Sequence, residues 1–71
     1  MAEEVRAPLA GKVLSFSVEV GSKVEEDDEL LVIEALKMET IVYAPSDGKV
    51  KEIKVKEGDQ VEEDDILVLM E

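Results

Sequence analysis

The stretch Ala7-Pro8-Leu9-Ala10-Gly11-Lys12-Val13 returns 37 residues later as Ala44-Pro45-Ser46-Asp47-Gly48-Lys49-Val50. The correspondence extends over residues 6–34 and 43–71. Glycine, proline and apolar positions recur together in both copies, which chance does not produce. The repeat therefore predicts one domain, residues 1–71, in which two half-repeats pack about a pseudo-twofold axis.

Each copy has the pattern of short β-strands. The Ala-Pro-x-x-Gly stretch is typical of a turn, and a strand should follow it at Lys12–Val18 and Lys49–Val55. Its apolar positions are spaced by three and then two, which predicts a β-bulge in both copies. About four strands per copy predict an all-β fold, a flattened barrel or sandwich of two four-stranded antiparallel sheets.

Composition limits the possible functions. A chain of 71 residues with 45% hydrophobic and 3% aromatic residues supports one small, mainly aliphatic core, which leaves little room for a catalytic cleft. The chain has no cysteine and no histidine, which excludes disulfides, thiolate nucleophiles and a histidine base. We expect a cytoplasmic protein, because small secreted domains usually depend on disulfides.

The net charge of −11 indicates which partners the chain can bind. Nucleic acids and anionic membranes would be repelled, so we expect neither as a direct partner. The charge suits docking on neutral or basic protein surfaces, although it could equally serve solubility alone.

Two acidic tetrads, Glu25-Glu26-Asp27-Asp28 and Glu62-Glu63-Asp64-Asp65, occupy equivalent places in the copies. A calcium loop needs carboxylates at alternating positions and a central glycine, and neither tetrad has that spacing. We therefore interpret both tetrads as solvated turns and predict no metal site.

Residues 35–42 connect the two half-repeats, and Lys37 within them has no counterpart in the repeat. This connector joins an apolar strand ending near Glu34 to a second strand, so Leu36-Lys37-Met38 should form a β-hairpin tip. Lys37 would then project into solvent between two apolar neighbours. Leu36 and Met38 could form a surface read by another protein, or could fold back onto the barrel.

The hexapeptide Glu34-Ala35-Leu36-Lys37-Met38-Glu39 closely resembles Glu-Ala-Met-Lys-Met, the attachment motif of biotin carboxyl carrier domains. The resemblance covers nearly the whole chain, including the Ala-Pro-x-x-Gly opening in both copies. It implies the barrel-sandwich hybrid fold, with Lys37 on a tight turn at the end opposite the termini. It also implies that biotin is joined to Lys37 through an amide.

The sequence departs from the family pattern at three places. Leu36 replaces the first methionine of the motif, a change of similar volume. Asp27 and Asp64 stand where the family usually has a turn glycine. No extra residues interrupt the first copy between Gly11 and Gly21, so the chain is more similar to the carriers of pyruvate, propionyl-CoA or decarboxylase systems than to acetyl-CoA carboxylase carriers with a protruding thumb.

The resemblance also implies the partners of a carrier. A biotin protein ligase would modify Lys37, with Glu34, Ala35 and Glu39 as recognition residues, although Glu34 and Glu39 could equally be ordinary polar ends of the hairpin strands. Leu36 and Met38 would pack against the pockets of the partners or against the biotin itself. A biotin carboxylase would then load the carrier, and a carboxyltransferase or decarboxylase subunit would unload it, so the chain itself would not be an enzyme.

Two alternatives use the same fold. A lipoyl domain also modifies a hairpin lysine, but its motif usually reads Asp-Lys-Ala. An unmodified adaptor module would use the barrel for binding alone, and in efflux systems such barrels are split by a helical insertion that this chain lacks.

Overall fold

The computed structural model describes residues 3–71, which form eight β-strands. The strands are β1 (Glu3–Arg6), β2 (Gly11–Phe16), β3 (Lys23–Val24), β4 (Glu29–Ala35), β5 (Met38–Tyr43), β6 (Gly48–Ile53), β7 (Gln60–Val61) and β8 (Ile66–Met70). Within residues 3–71 no helix has the length and apolarity needed to cross a membrane.

The strands form two four-stranded antiparallel sheets, in the orders β1-β8-β6-β3 and β5-β4-β2-β7. A shift of 37 residues converts the first order into the second, so the sheets are related as the repeat predicts. Each short strand pairs with the other copy, β3 with β6 and β7 with β2, and neither half could complete a sheet alone. The predicted fold class, all-β with two antiparallel sheets, is confirmed.

Both predicted bulges are present. The pairing register shifts between Val13 and Ser15 in β2 and between Val50 and Glu52 in β6. The bulges let two residues lie opposite one, which explains why the apolar positions do not alternate strictly. The strands end at Phe16 and Ile53, two residues earlier than predicted.

One hydrophobic cluster between the sheets draws on both copies, and no polar side chain of residues 3–71 is buried. Its members are aliphatic: Val5, Ala7, Val13, Val24, Leu30, Leu31, Ile33, Val42, Ala44, Val50, Val61, Leu67, Val68 and Met70. Strand β1, which sequence reasoning did not identify, contributes Val5 and pairs with β8.

The acidic tetrads form tight turns between the short strands and the long apolar strands. Asp28 Oδ2 accepts a hydrogen bond from the Glu25 N–H at 2.9 Å, and Asp65 Oδ2 accepts one from the Glu62 N–H at 2.8 Å. Asp27 adopts a φ of 72°, in the left-handed region that glycine occupies most easily. No group of acidic residues within the described part of the chain is arranged to hold a metal ion.

Candidate functional site

The candidate site is the tip of the β4–β5 hairpin. Ala35 pairs with Met38, so only Leu36 and Lys37 lie in the turn. Their φ angles are 52° and 65°, and two consecutive positive values define a type I′ turn. The predicted three-residue tip was therefore wrong at Met38, which begins β5.

This turn is unusual because it contains neither glycine nor asparagine. Left-handed backbone costs an L-residue roughly 1–2 kcal/mol, because Cβ approaches the carbonyl oxygen. The strands on either side hold the turn in this conformation. Ala35 pairs with Met38 directly below the turn, and the pairing continues along the six residues of β5 and its partner β4. Strain that the surroundings impose is typical of functional sites.

The lysine and its apolar neighbours are directed into solvent. Lys37 is exposed, and no carboxylate of residues 3–71 forms a salt bridge with it. Leu36 is 95% exposed and Met38 is 70% exposed. The alternative that these two side chains fold back onto the barrel is therefore wrong, and all three remain available to a partner.

Two carboxylates lie just below the tip. Glu34 and Glu39 are directly opposite each other on β4 and β5, and both are exposed. Like charges in this arrangement oppose pairing of the strands. Lys12 of β2 is the neighbour of Glu34 on its other side and provides the nearest compensating charge in the ladder.

Gly11 lets β2 pack closely against the end of β4 that supports the tip. A Cβ atom at Gly11 would lie 2.6 Å from the Glu34 carbonyl oxygen and 2.7 Å from Ile33 Cγ2. No side chain fits there without movement of β4. The position of the tip thus depends on a glycine far from Lys37 in sequence.

The biotin/lipoyl family model, described as "Biotin-requiring enzyme", matches residues 3–70. The chain belongs to this family. It is a biotin carrier domain of the kind found in carboxylases and decarboxylases, with covalent biotin as its cofactor, and the lipoyl alternative has less support.

Individual relatives agree with this membership. The biotinyl domain is 54% identical over 35 residues to glutaconyl-CoA decarboxylase subunit gamma of Acidaminococcus fermentans, covering 49% of this chain and 24% of that one. It is 44% identical over 39 residues to the biotinylated protein TB7.3 homolog of Mycolicibacterium smegmatis, covering 55% of each. The matches thus span about a quarter and about half of these relatives.

A solved structure shows the same fold. The crystal structure of Kluyveromyces lactis urea carboxylase matches with a TM-score of 0.93 and 36% identity, over 99% of this chain and 6% of that one. The biotinyl domain is thus similar to one small part of a much longer enzyme.

The tip of this biotinyl domain suits a covalent cofactor. A free, exposed amine can form an amide without displacing any contact of the fold. Leu36 and Met38 offer apolar surface beside it. Sequence reasoning missed the left-handed turn, because neither residue signals it, and also missed the close packing at Gly11.

Proposed function

We propose that Lys37 is the residue of this biotinyl domain that carries biotin. The observation that supports this most strongly is the exposed, unpaired Lys37 on a two-residue turn within the family's attachment motif. Lys37 Nζ supplies the nitrogen of the amide by attacking the carbonyl of biotin that the ligase has activated as its adenylate. The C–N bond forms as the C–O bond to AMP breaks, AMP leaves, and the proton of the amine is taken up in the ligase site, because Leu36 and Met38 offer no base.

The flanking residues would serve recognition. Glu34 and Glu39 present two adjacent carboxylates below the tip, which suits a basic surface on a biotin protein ligase. Leu36 and Met38 would contact the pockets into which the tip is inserted. Ala35, which closes the turn through its pair with Met38, would fix the orientation of Lys37.

Bound biotin carries a carboxyl group between two active sites. The domain contributes a rigid support: its two sheets fix the hairpin, while the lysine side chain remains free to reach into different pockets. Tethering also replaces bimolecular capture of the cofactor with a high effective concentration.

The partners we propose are a biotin protein ligase, a biotin carboxylase and a carboxyltransferase or decarboxylase subunit, with the domain itself as a non-catalytic carrier in the cytoplasm. The similarity to the gamma subunit of glutaconyl-CoA decarboxylase and to part of urea carboxylase supports both kinds of system. We take residues 1–71 as one folding unit, because the core joins both half-repeats.

Intact mass spectrometry tests the proposal. The chain is co-expressed with a biotin protein ligase or, separately, with a lipoate ligase, as wild type and as Lys37→Ala. We expect the mass of one biotinyl group on the wild type and none on the variant. A lipoyl-sized increment in the second expression and no biotin in the first would favour the lipoyl alternative, and no increment in either would favour an adaptor.

A further inference from the structure

The outer surface of β4 and β5 carries an apolar patch. Leu31 and Val42 are buried in the core, so strand alternation directs Val32, Ile41 and Tyr43 to the outside. Val32 and Ile41 are paired directly across the two strands, and Tyr43 is 52% exposed. We call Val32, Ile41 and Tyr43 the outer apolar patch.

The equivalent surface of the other sheet is charged. A shift of 37 residues relates Val32, Ile41 and Tyr43 to Leu69, Glu4 and Arg6. There the Arg6 guanidinium lies 2.5 Å from the Glu4 carboxylate and donates a hydrogen bond to the Asp64 carbonyl oxygen at 2.9 Å. The two charged residues at these equivalent positions, Glu4 and Arg6, thus pair with each other, and the apolar patch belongs to the sheet that bears the tip.

Acidic residues border the patch at both ends. The Glu34–Glu39 pair separates it from the tip, and Glu29 lies opposite Tyr43 at the far end of β5. Ile41 is three residues from Met38, a distance of about 10 Å along the strand. A partner that receives the tip could therefore also cover the patch, and its matching surface would be apolar at the centre with lysine or arginine at the rim.

We propose that the outer apolar patch docks on the biotin protein ligase, through a ligase surface of that composition. This inference rests on the proposed function of Lys37. Before biotin is attached, only the protein surface distinguishes Lys37 from the six other lysines of the chain. A carboxylase or transferase can recognise the biotin itself, whereas the ligase must recognise the unmodified domain.

The test transfers the charged surface to the sheet that bears the tip. The double variant Ile41→Glu, Tyr43→Arg introduces the side chains of the equivalent positions, Glu4 and Arg6, and leaves the net charge unchanged. We expect its kcat/KM with the ligase to fall at least tenfold, about 1.4 kcal/mol, while kcat at saturating domain is retained. Val20→Ser is the matched control, because Val20 is 63% exposed in a turn outside the patch.

A binding measurement separates docking from chemistry. The Lys37→Ala chain should inhibit biotinylation of the wild type competitively, and Lys37→Ala combined with the double variant should not. Circular dichroism checks that the variants fold, and Ile41→Thr, which shortens one side chain of the patch, replaces the double variant if it does not.

Three results would overturn the inference. The first is an unchanged kcat/KM of the folded double variant while Lys37→Ala still abolishes biotinylation, which would leave the proposed function intact. The second is an equal loss in Val20→Ser. The third is a wild-type dimer in sedimentation that the double variant abolishes without a change in kcat/KM, which would make the patch a contact between two copies. A wild type that takes up no biotin would instead overturn the proposed function.

Discussion

Replacing Leu36 by glycine should stabilise the domain. Leu36 has a φ of 52°, and an L-residue in the left-handed region costs roughly 1–2 kcal/mol. Glycine avoids this cost but loses about 0.5–1 kcal/mol more backbone entropy on folding. Because Leu36 is 95% exposed, no packing is lost. The expected gain in the free energy of unfolding is therefore about 0.5–1 kcal/mol, or roughly 2–8 °C in Tm.

Urea denaturation followed by circular dichroism measures this gain, with the m-value checked for constancy. Leu36→Val is the matched variant: a β-branched side chain is poorly tolerated at positive φ, so it should destabilise the domain. If Leu36 also contacts the ligase, Leu36→Gly should be biotinylated more slowly although it is more stable. A clear loss of stability in Leu36→Gly would refute the left-handed turn or the exposure of this side chain.

Three further substitutions test the support of the tip and the core. Gly11→Ala should destabilise by about 1–3 kcal/mol in urea, since its Cβ would lie 2.6 Å from the Glu34 carbonyl oxygen and 2.7 Å from Ile33 Cγ2. Gly48→Ala should cost less, because only one atom would lie closer than 3 Å and the next is the flexible end of Met70 at 3.3 Å; equal costs would contradict the packing. Asp27→Gly should raise Tm slightly, because Asp27 has a φ of 72°, which glycine adopts more easily. Asp28→Ala should lower the free energy of unfolding by about 1 kcal/mol, because it removes the hydrogen bond that Asp28 accepts in this turn. A loss of stability in Asp27→Gly together with a gain in Asp28→Ala would contradict the turn. Leu31→Ala, at a fully buried position, should cost about 2–5 kcal/mol by urea denaturation, and a cost below about 1 kcal/mol would be incompatible with the core.

Much of the fold could be predicted because the internal repeat specifies which residues form the turns and which form the core. The 37-residue shift aligns turn residues and core residues at once, so two sheets, a pseudo-twofold axis and paired bulges follow from one pattern. Strand β1 escaped prediction because three of its four residues are charged, and its place depends on pairing with β8 at the other end of the chain.

The sequence was enough to predict where the site lies, but not the backbone conformation of the site. Lys37 could be recognised as the site because it is the one lysine whose position has no counterpart in the other half-repeat. The left-handed conformation of Leu36 and Lys37 could not be read from these residue types, since it is imposed by the register that pairs Ala35 with Met38. The outer apolar patch could not be predicted without knowing which face each strand buries. The repeat does align Tyr43 with Arg6, which indicates that the two sheets differ at this position.

The most direct test of the central claim is to locate biotin on the unaltered chain. After exposure to a biotin protein ligase, tandem mass spectrometry of proteolytic peptides assigns the modified lysine among the seven present. We predict biotin on Lys37 alone. Biotin on one of the other six lysines, or spread over several of them, would contradict the claim that the hairpin tip presents one amine to the enzymes that use it.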